Sequence, residues 1–227
     1  MKRITVLLSM IIAVMTPVSG AAQNDRSELK QKAVAGDPAA QVQLGMTYAL
    51  AVPRDSQEAM KWFKAAADKG YADGQFRLGG MYEAGIRPPN TAEAVKWYLL
   101  AANQGYKDAQ YRLGVLYDQG RGVTRNYTEA AKWYEKAGEQ GRPEAQYRLG
   151  EMYEKGEGTP QNYNASMKWY LLAAQQSRPE AQYKVGYLYE QGLGVSHDKS
   201  AAIAWYQKSS QQGYPDAKDA LKALEEQ

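Results

Sequence analysis

The sequence has no cysteine, one histidine and two phenylalanines in 227 residues. Without cysteine there can be no disulfide framework, no thiolate metal site and no lipidated amino-terminal cysteine, so a lipoprotein anchor is excluded. The lone His197 cannot furnish the usual tetrahedral zinc set, and any Ser-His-Asp machinery would have to be built on it alone. It stands directly before Asp198 and reads as a solvated loop residue. A strong charge of one sign is also missing: 28 basic against 25 acidic residues give a formal net charge of +3, to which Lys2 and Arg3 contribute two. That balance does not point to nucleic acid or an anionic membrane surface as the main partner. No apolar run reaches the roughly 20 residues that span a bilayer.

The longest such run, ITVLLSMIIAVM at positions 4–15, follows Lys2 and Arg3 and precedes Pro17, Ser19, Gly20, Ala21 and Ala22. A basic head, a short apolar stretch and small residues in that order form a secretory signal peptide. Residues 1–22 are therefore expected to be a leader cleaved after Ala21 or Ala22. The mature chain is expected to be periplasmic or secreted, with no stable membrane insertion.

What the sequence does have is repetition. Trp62, Trp97, Trp133, Trp169 and Trp205 recur at intervals of 35, 36, 36 and 36, accompanied by Gly45, Gly79, Gly114, Gly150 and Gly186. A period in this range announces stacked supersecondary units, which makes the chain one elongated body. Each unit divides into two helices. Helix A carries Ala, Leu, Gly and Tyr at helical spacing, as in Ala109, Leu113, Gly114 and Tyr117. Helix B carries the tryptophan with alanines on the same stripe, as in Ala130, Trp133 and Ala137. The glycine lets a neighbouring helix come close, and the indole is expected to lie against it.

Helix ends are written in the same code. Asp55, Asn90, Asn126, Asn162 and Asp198 stand seven residues before each tryptophan as N-caps, and Glu58, Glu93 and Glu129 make capping-box-like pairs in the first three units. Gly70, Gly105, Gly141 and Gly213, with Ser177 as the exception, close helix B in the left-handed conformation. Pro38, Pro143, Pro179 and Pro215 suit the first turn of helix A. From each tryptophan to the next glycine is always 17 residues, whereas glycine to tryptophan within a unit runs 17, 18, 19, 19 and 19. Packing thus fixes the B-to-A turn, and variation gathers in the A-to-B loop. The expected organisation is a leader at 1–22, an amino-terminal capping helix at 23–36, five repeats at 37–213 and a polar capping helix at 214–227.

Several motifs invite chemistry and have plainer readings. The paired glycines Gly120 and Gly122, Gly156 and Gly158, and Gly192 and Gly194 follow a helix and lack a Gly-Lys-Ser, so they are turns rather than phosphate cradles. Asn126 and Asn164 open glycosylation sequons, but Asn126 already has a capping role. Arg77, Arg112, Arg148 and Lys184 would form a basic row; Asp73, Asp108, Glu144 and Glu180 stand four residues earlier, so pairing along each helix is expected. The repeated Tyr48, Tyr82, Tyr117, Tyr153 and Tyr189 are at core spacing. Outward-looking residues of helix A, namely Met46, Val115 and Tyr187, and the loop residues Arg87, Arg121 and Leu193 are the candidates for protein contact.

The pattern AQYRLGxxYxxGxGVxxNYxEAxKWYxKAxxQG, read across units three and four, resembles the Sel-one-like repeat family, a cousin of tetratricopeptide repeats, over about residues 37–213. Unit one departs at Leu50 to Val52 and unit two at Ile86 to Pro89. The resemblance implies an all-α fold, a right-handed α/α solenoid of five helix pairs with an amino-terminal half-repeat helix. It also implies an adaptor that holds proteins or peptides on its concave face, with no catalysis and no cofactor or metal. Some cysteine-rich relatives carry a β-lactamase label, which leaves a cell-wall-related hydrolase as the alternative. Its Ser-x-x-Lys motif occurs at Ser27 to Lys30 and Ser196 to Lys199, without the Ser-Asp-Asn or Lys-Thr-Gly companions. A purely architectural or self-associating role is a third reading.

Overall fold

The computed structural model describes residues 20–86 and 88–226; most of the expected leader, and Arg87, lie outside the described residues. Among the described residues every regular element is a helix. The amino-terminal α1 (Gly20–Val34) begins inside the span read as leader. The A helices are α2 (Pro38–Ala49), α4 (Ala72–Gly80), α6 (Lys107–Gln119), α8 (Pro143–Lys155) and α10 (Pro179–Gln191). The B helices are α3 (Ser56–Asp68), α5 (Thr91–Asn103), α7 (Tyr127–Glu139), α9 (Tyr163–Gln175) and α11 (Lys199–Gln211). The closing α12 (Pro215–Glu225) follows them, and α4 runs on into a π-helical turn, Met81–Gly85. Each helix packs on its neighbours in the chain, giving an α/α solenoid with α1 on α2 at one end and α12 on α11 at the other.

The five N-caps act through their side chains, each accepting from the backbone N–H three residues on, at 2.9 to 3.1 Å. The reciprocal half of the capping box is not made. The N-cap N–H instead donates to the carbonyl of the repeated helix-A tyrosine, Asn126 to Tyr117 at 2.9 Å and Asn162 to Tyr153 at 2.8 Å. Those bonds set the exit of the A-to-B loop. Glu58, Glu93 and Glu129 are freed to pair with Lys61, Lys96 and Lys132 one turn on. Ser177 does take the left-handed conformation, at φ 63°.

The glycine notch is filled by a different aromatic from the one expected. The residue after each tryptophan fills it: Phe63 lies on Gly45, Tyr98 on Gly79, Tyr134 on Gly114, Tyr170 on Gly150 and Tyr206 on Gly186. The indole points the other way. Trp133 joins the core formed by α5 and α6, and Trp169 the core formed by α7 and α8, so each tryptophan ties its own helix to the preceding unit. Helical geometry requires this division, because adjacent positions diverge by about 100° and cannot share one notch.

A ladder of glutamines fixes the B-to-A turn. Buried Gln75, Gln110, Gln146 and Gln182 donate to carbonyls near the end of the preceding B helix, for example Gln146 to Gly138 at 2.9 Å. Each also accepts from Gln104, Gln140, Gln176 or Gln212 at the end of its own unit's B helix, at 2.7 to 2.8 Å. The bonds satisfy helix-end carbonyls that would otherwise be buried without partners. The A-to-B loops of the last three units are docked rather than free. Gly122, Gly158 and Gly194 rest on the backbone of the first turn of the preceding B helix, at Thr91, Tyr127 and Tyr163.

Candidate binding groove

Four residues after the glycine, near the end of each A helix, units two to five carry a carboxylate: Glu83, Asp118, Glu154 and Glu190. Each accepts the phenol proton of the notch-filling tyrosine of its own unit, Tyr98, Tyr134, Tyr170 or Tyr206. The basic residue of the next A helix then closes the set across the unit boundary. Arg112 forks onto Glu83 at 2.7 and 2.7 Å, Arg148 onto Asp118 at 2.7 and 3.0 Å, and Lys184 meets Glu154 at 2.9 Å. Among the described residues, pairing with the acid four residues earlier is therefore found only at Arg77 with Asp73, 2.9 Å; the other three bases bind the neighbouring unit, and Arg148 also meets Glu151 one turn on at 3.3 Å. The pairing distance in sequence is about thirty residues, which helical spacing rules do not reach.

Burial, and after it the adjacent carboxylate, pushes the phenols of Tyr98, Tyr134, Tyr170 and Tyr206 well above their ordinary pKa. They stay protonated and remain donors. Hydrogen bonding to Asp118 raises the Arg148 guanidinium against the opposing effect of its own burial.

The first unit breaks the series. Ala49 stands where the others have the acid and Phe63 where they have tyrosine, so Arg77 finds no carboxylate across the boundary. Between α2 and α4 the same region opens into a groove of about 330 Å³. Its lining includes the apolar Phe63, Phe76 and Met81 together with Arg54 and Arg77. Gly80 keeps it open, occupying the position that Val115, Glu151 and Tyr187 fill in later units. Leu50 at 73% and Val52 at 99% exposure continue the apolar character into the adjoining loop.

Of the residues singled out for contact, Met46 lines this groove. Val115 is half-buried against the α7–α8 core, and Tyr187 lies across two cores towards the carboxyl-terminal end. Leu193 packs on the α9–α10 core. Arg121 reaches back to Glu83 at 3.2 Å. The structure does not gather these five into one site, and Arg87 lies outside the described residues. The signal that locates the groove is a set of missing groups, Ala49, Phe63 and Gly80, visible only when units are compared. Ser27 and Lys30 line a separate surface cleft of about 510 Å³ on α1, while His197, Ser196 and Lys199 are exposed at the entry to α11. Among the described residues no hydrogen bond links Ser27 to Lys30 or Ser196 to Lys199.

Stacked helix pairs that bond from each unit to the next define an α/α repeat protein built for surface contact. A family model for the Sel1 repeat matches at residues 38–71, 72–106, 107–141, 143–177 and 179–214, and the chain belongs to that family. Sel1 repeat proteins are protein-interaction scaffolds. The chain is 37% identical to c5321, a protective antigen present in uropathogenic Escherichia coli strains with an SLR fold, over 87% of this chain and 43% of that one, TM-score 0.83. It is 35% identical to a Sel1 repeat protein from Oxalobacter formigenes, over 86% of this chain and 58% of the other, TM-score 0.76. A Sel1 repeat protein from Klebsiella pneumoniae, 22% identical with a TM-score of 0.53, shares the fold. The chain spans about half the length of the first two relatives. No curated protein matches it.

Proposed function

We propose that the chain is an exported scaffold holding a protein or peptide partner on its A-helix face and A-to-B loops. The observation that carries this is the groove between α2 and α4, lined by apolar residues and two arginines on the A-helix side of the stack. Such a surface is what a docking site needs: apolar area to bury and a few polar groups to orient the guest. Successive A helices approach one another, α2 on α4 and α6 on α8, which supports the A side as the inner, concave one. Met46, Val115 and Tyr187 belong to the A helices and Arg121 and Leu193 to the loops that follow them, and Arg87 joins them from the sequence alone. Export is supported by the basic-apolar-small pattern of residues 1–22. Among the described residues no helix is long and apolar enough to cross a membrane.

The test is site-specific photocrosslinking in the native cell, with fractionation of the product. Crosslinkers at Met46, Val115 and Tyr187 should trap one common partner outside the cytoplasm, and crosslinkers at Lys132 and Lys168 on the B helices should not. A partner trapped only from the B helices, or an uncleaved cytoplasmic chain, would overturn the reading. Turnover of a chromogenic β-lactam that disappears in Ser27→Ala would favour the hydrolase instead.

A further inference from the structure

Among the described residues, Arg77 is the one base of its row left without an acid from the neighbouring unit. Among the described residues its Nη1 meets only the Met46 sulfur, and a thioether is a weak acceptor. Its buried Nε, although 2.9 Å from Asp73, makes no well-directed hydrogen bond. Asp73 is also engaged by the Tyr106 hydroxyl at 2.8 Å. Among the described residues no carboxylate pairs with Arg54. The groove is therefore lined by two arginines and a set of apolar residues, and it lacks the acid that every later unit supplies; at the last boundary Glu190 is present and it is the base that Ala220 replaces.

We infer that this groove docks an acidic peptide segment in which Glu or Asp stands beside a large apolar residue. The guest's side-chain carboxylate takes the place of the acid that Ala49 removes, forming charge-assisted bonds to Arg77 and Arg54. The neighbouring apolar side chain lies over Gly80 and Met81, where later units place Val115, Glu151 or Tyr187. The array thus binds its guest with the acid–base chemistry that elsewhere joins its own units. This rests on the scaffold reading and narrows it to one boundary and one chemistry.

The test is an NMR titration of the nitrogen-labelled chain, following the Gly80 amide and the Arg77 Nε–H. The probes are acetyl-Gly-Leu-Glu-Leu-Gly-amide, its glutamine counterpart, and the glutamine peptide with a free terminal carboxylate. The glutamate peptide should saturate both signals, and the glutamine amide should bind about 10- to 100-fold more weakly. Ala49→Glu, which restores the acid of the other units, should weaken the glutamate peptide similarly while keeping the helical melt. Arg77→Gln should weaken it without Ala49→Glu's added side chain. Equal affinity for glutamate and glutamine peptides, no saturation at millimolar peptide, or unaltered binding by both variants overturns the inference. Tighter binding of the free terminal carboxylate overturns it in favour of chain-end recognition. No saturation of the unsubstituted chain by the glutamate peptide, while crosslinkers at Val115 and Tyr187 still trap the common partner, sinks this groove and leaves the scaffold standing.

Discussion

The ring of Tyr134 presses so closely on Gly114 that a Cβ built there would lie 2.6 Å from both Cδ1 and Cε1. Helix propensity alone favours alanine over glycine by roughly 1 kcal/mol. Displacing a buried ring costs about 1 to 3 kcal/mol, and this one is tethered through its hydroxyl to Asp118 at 3.2 Å. Gly114→Ala should therefore lower the stability measured by urea unfolding. Gly80→Ala, where the nearest atom is the Tyr98 hydroxyl at 3.7 Å, should be neutral or raise it. The same sign for both substitutions contradicts the notch.

Glu83 is 2% exposed and receives Tyr98, Arg112 and Arg121, whereas Glu93 pairs only with Lys96 on the surface of α5. Removing one partner of a buried pair costs about 3 to 5 kcal/mol, a figure to be reduced here because both arginines are partly solvated. Glu83→Gln should cost about 2 to 3 kcal/mol and Glu93→Gln under about 1 kcal/mol in the same denaturation assay. Comparable costs would show that the cross-boundary set adds nothing beyond a surface pair.

These contrasts mark what the residues alone can convey. Caps, first-turn prolines and the left-handed Ser177 were legible because each is decided by three or four consecutive residues and a local backbone demand. The period was legible because Trp and Gly repeat. The same period concealed which aromatic fills the notch, since Trp133 and Tyr134 recur together and only the rotation between them separates the two roles. It likewise concealed the partner of Arg148: Glu144 is the neighbour along the helix, but Asp118 lies closer in space. The groove was least legible of all. It comes from Ala49, Phe63 and Gly80, each unremarkable in its own segment and informative only against Glu83, Tyr98 and Val115.

Alkaline pH should undo the notches. Tyr98, Tyr134, Tyr170 and Tyr206 hold pKa values well above that of a free phenol, chiefly through burial. In the unfolded chain they titrate near about pH 10. Above that pH the unfolded state gives up protons that the folded state keeps, so stability is intact below it and falls as pH rises. The slope is at most about 1.4 kcal/mol per pH unit for each tyrosine. Tyr134→Phe should make the decline of Tm above pH 10 shallower, while lysine titration affects both chains alike. Parallel declines would show that Tyr134 titrates equally in both states.

Trp133, 8% exposed, belongs to the core of the preceding helices α5 and α6. Trp133→Ala should remove about 3 to 5 kcal/mol at that one boundary. Units in a linear array are stabilised by their neighbours, so the loss should divide one cooperative unfolding transition into two. Hydrogen exchange should show α2 to α5 opening separately from α8 to α11. One unshifted transition would mean that the indole does not join the units.

Gly122 and Gly105 both have positive φ, 72° and 85°, so alanine at either pays the left-handed penalty of about 1 to 2 kcal/mol. Their surroundings differ. Nothing lies within 4 Å of a Cβ at Gly105, while at Gly122 it would meet the Thr91 carbonyl carbon at 2.6 Å and the Ala92 nitrogen at 2.9 Å. Backbone in the first turn of α5 cannot rotate aside as a long side chain would, so the loop itself must lift. Gly122→Ala should therefore cost more than Gly105→Ala by about 1 kcal/mol or more, and proteolysis should find the loop between α6 and α7 more accessible. Equal costs would mean that this loop floats clear of the preceding unit and that its second glycine serves only the turn.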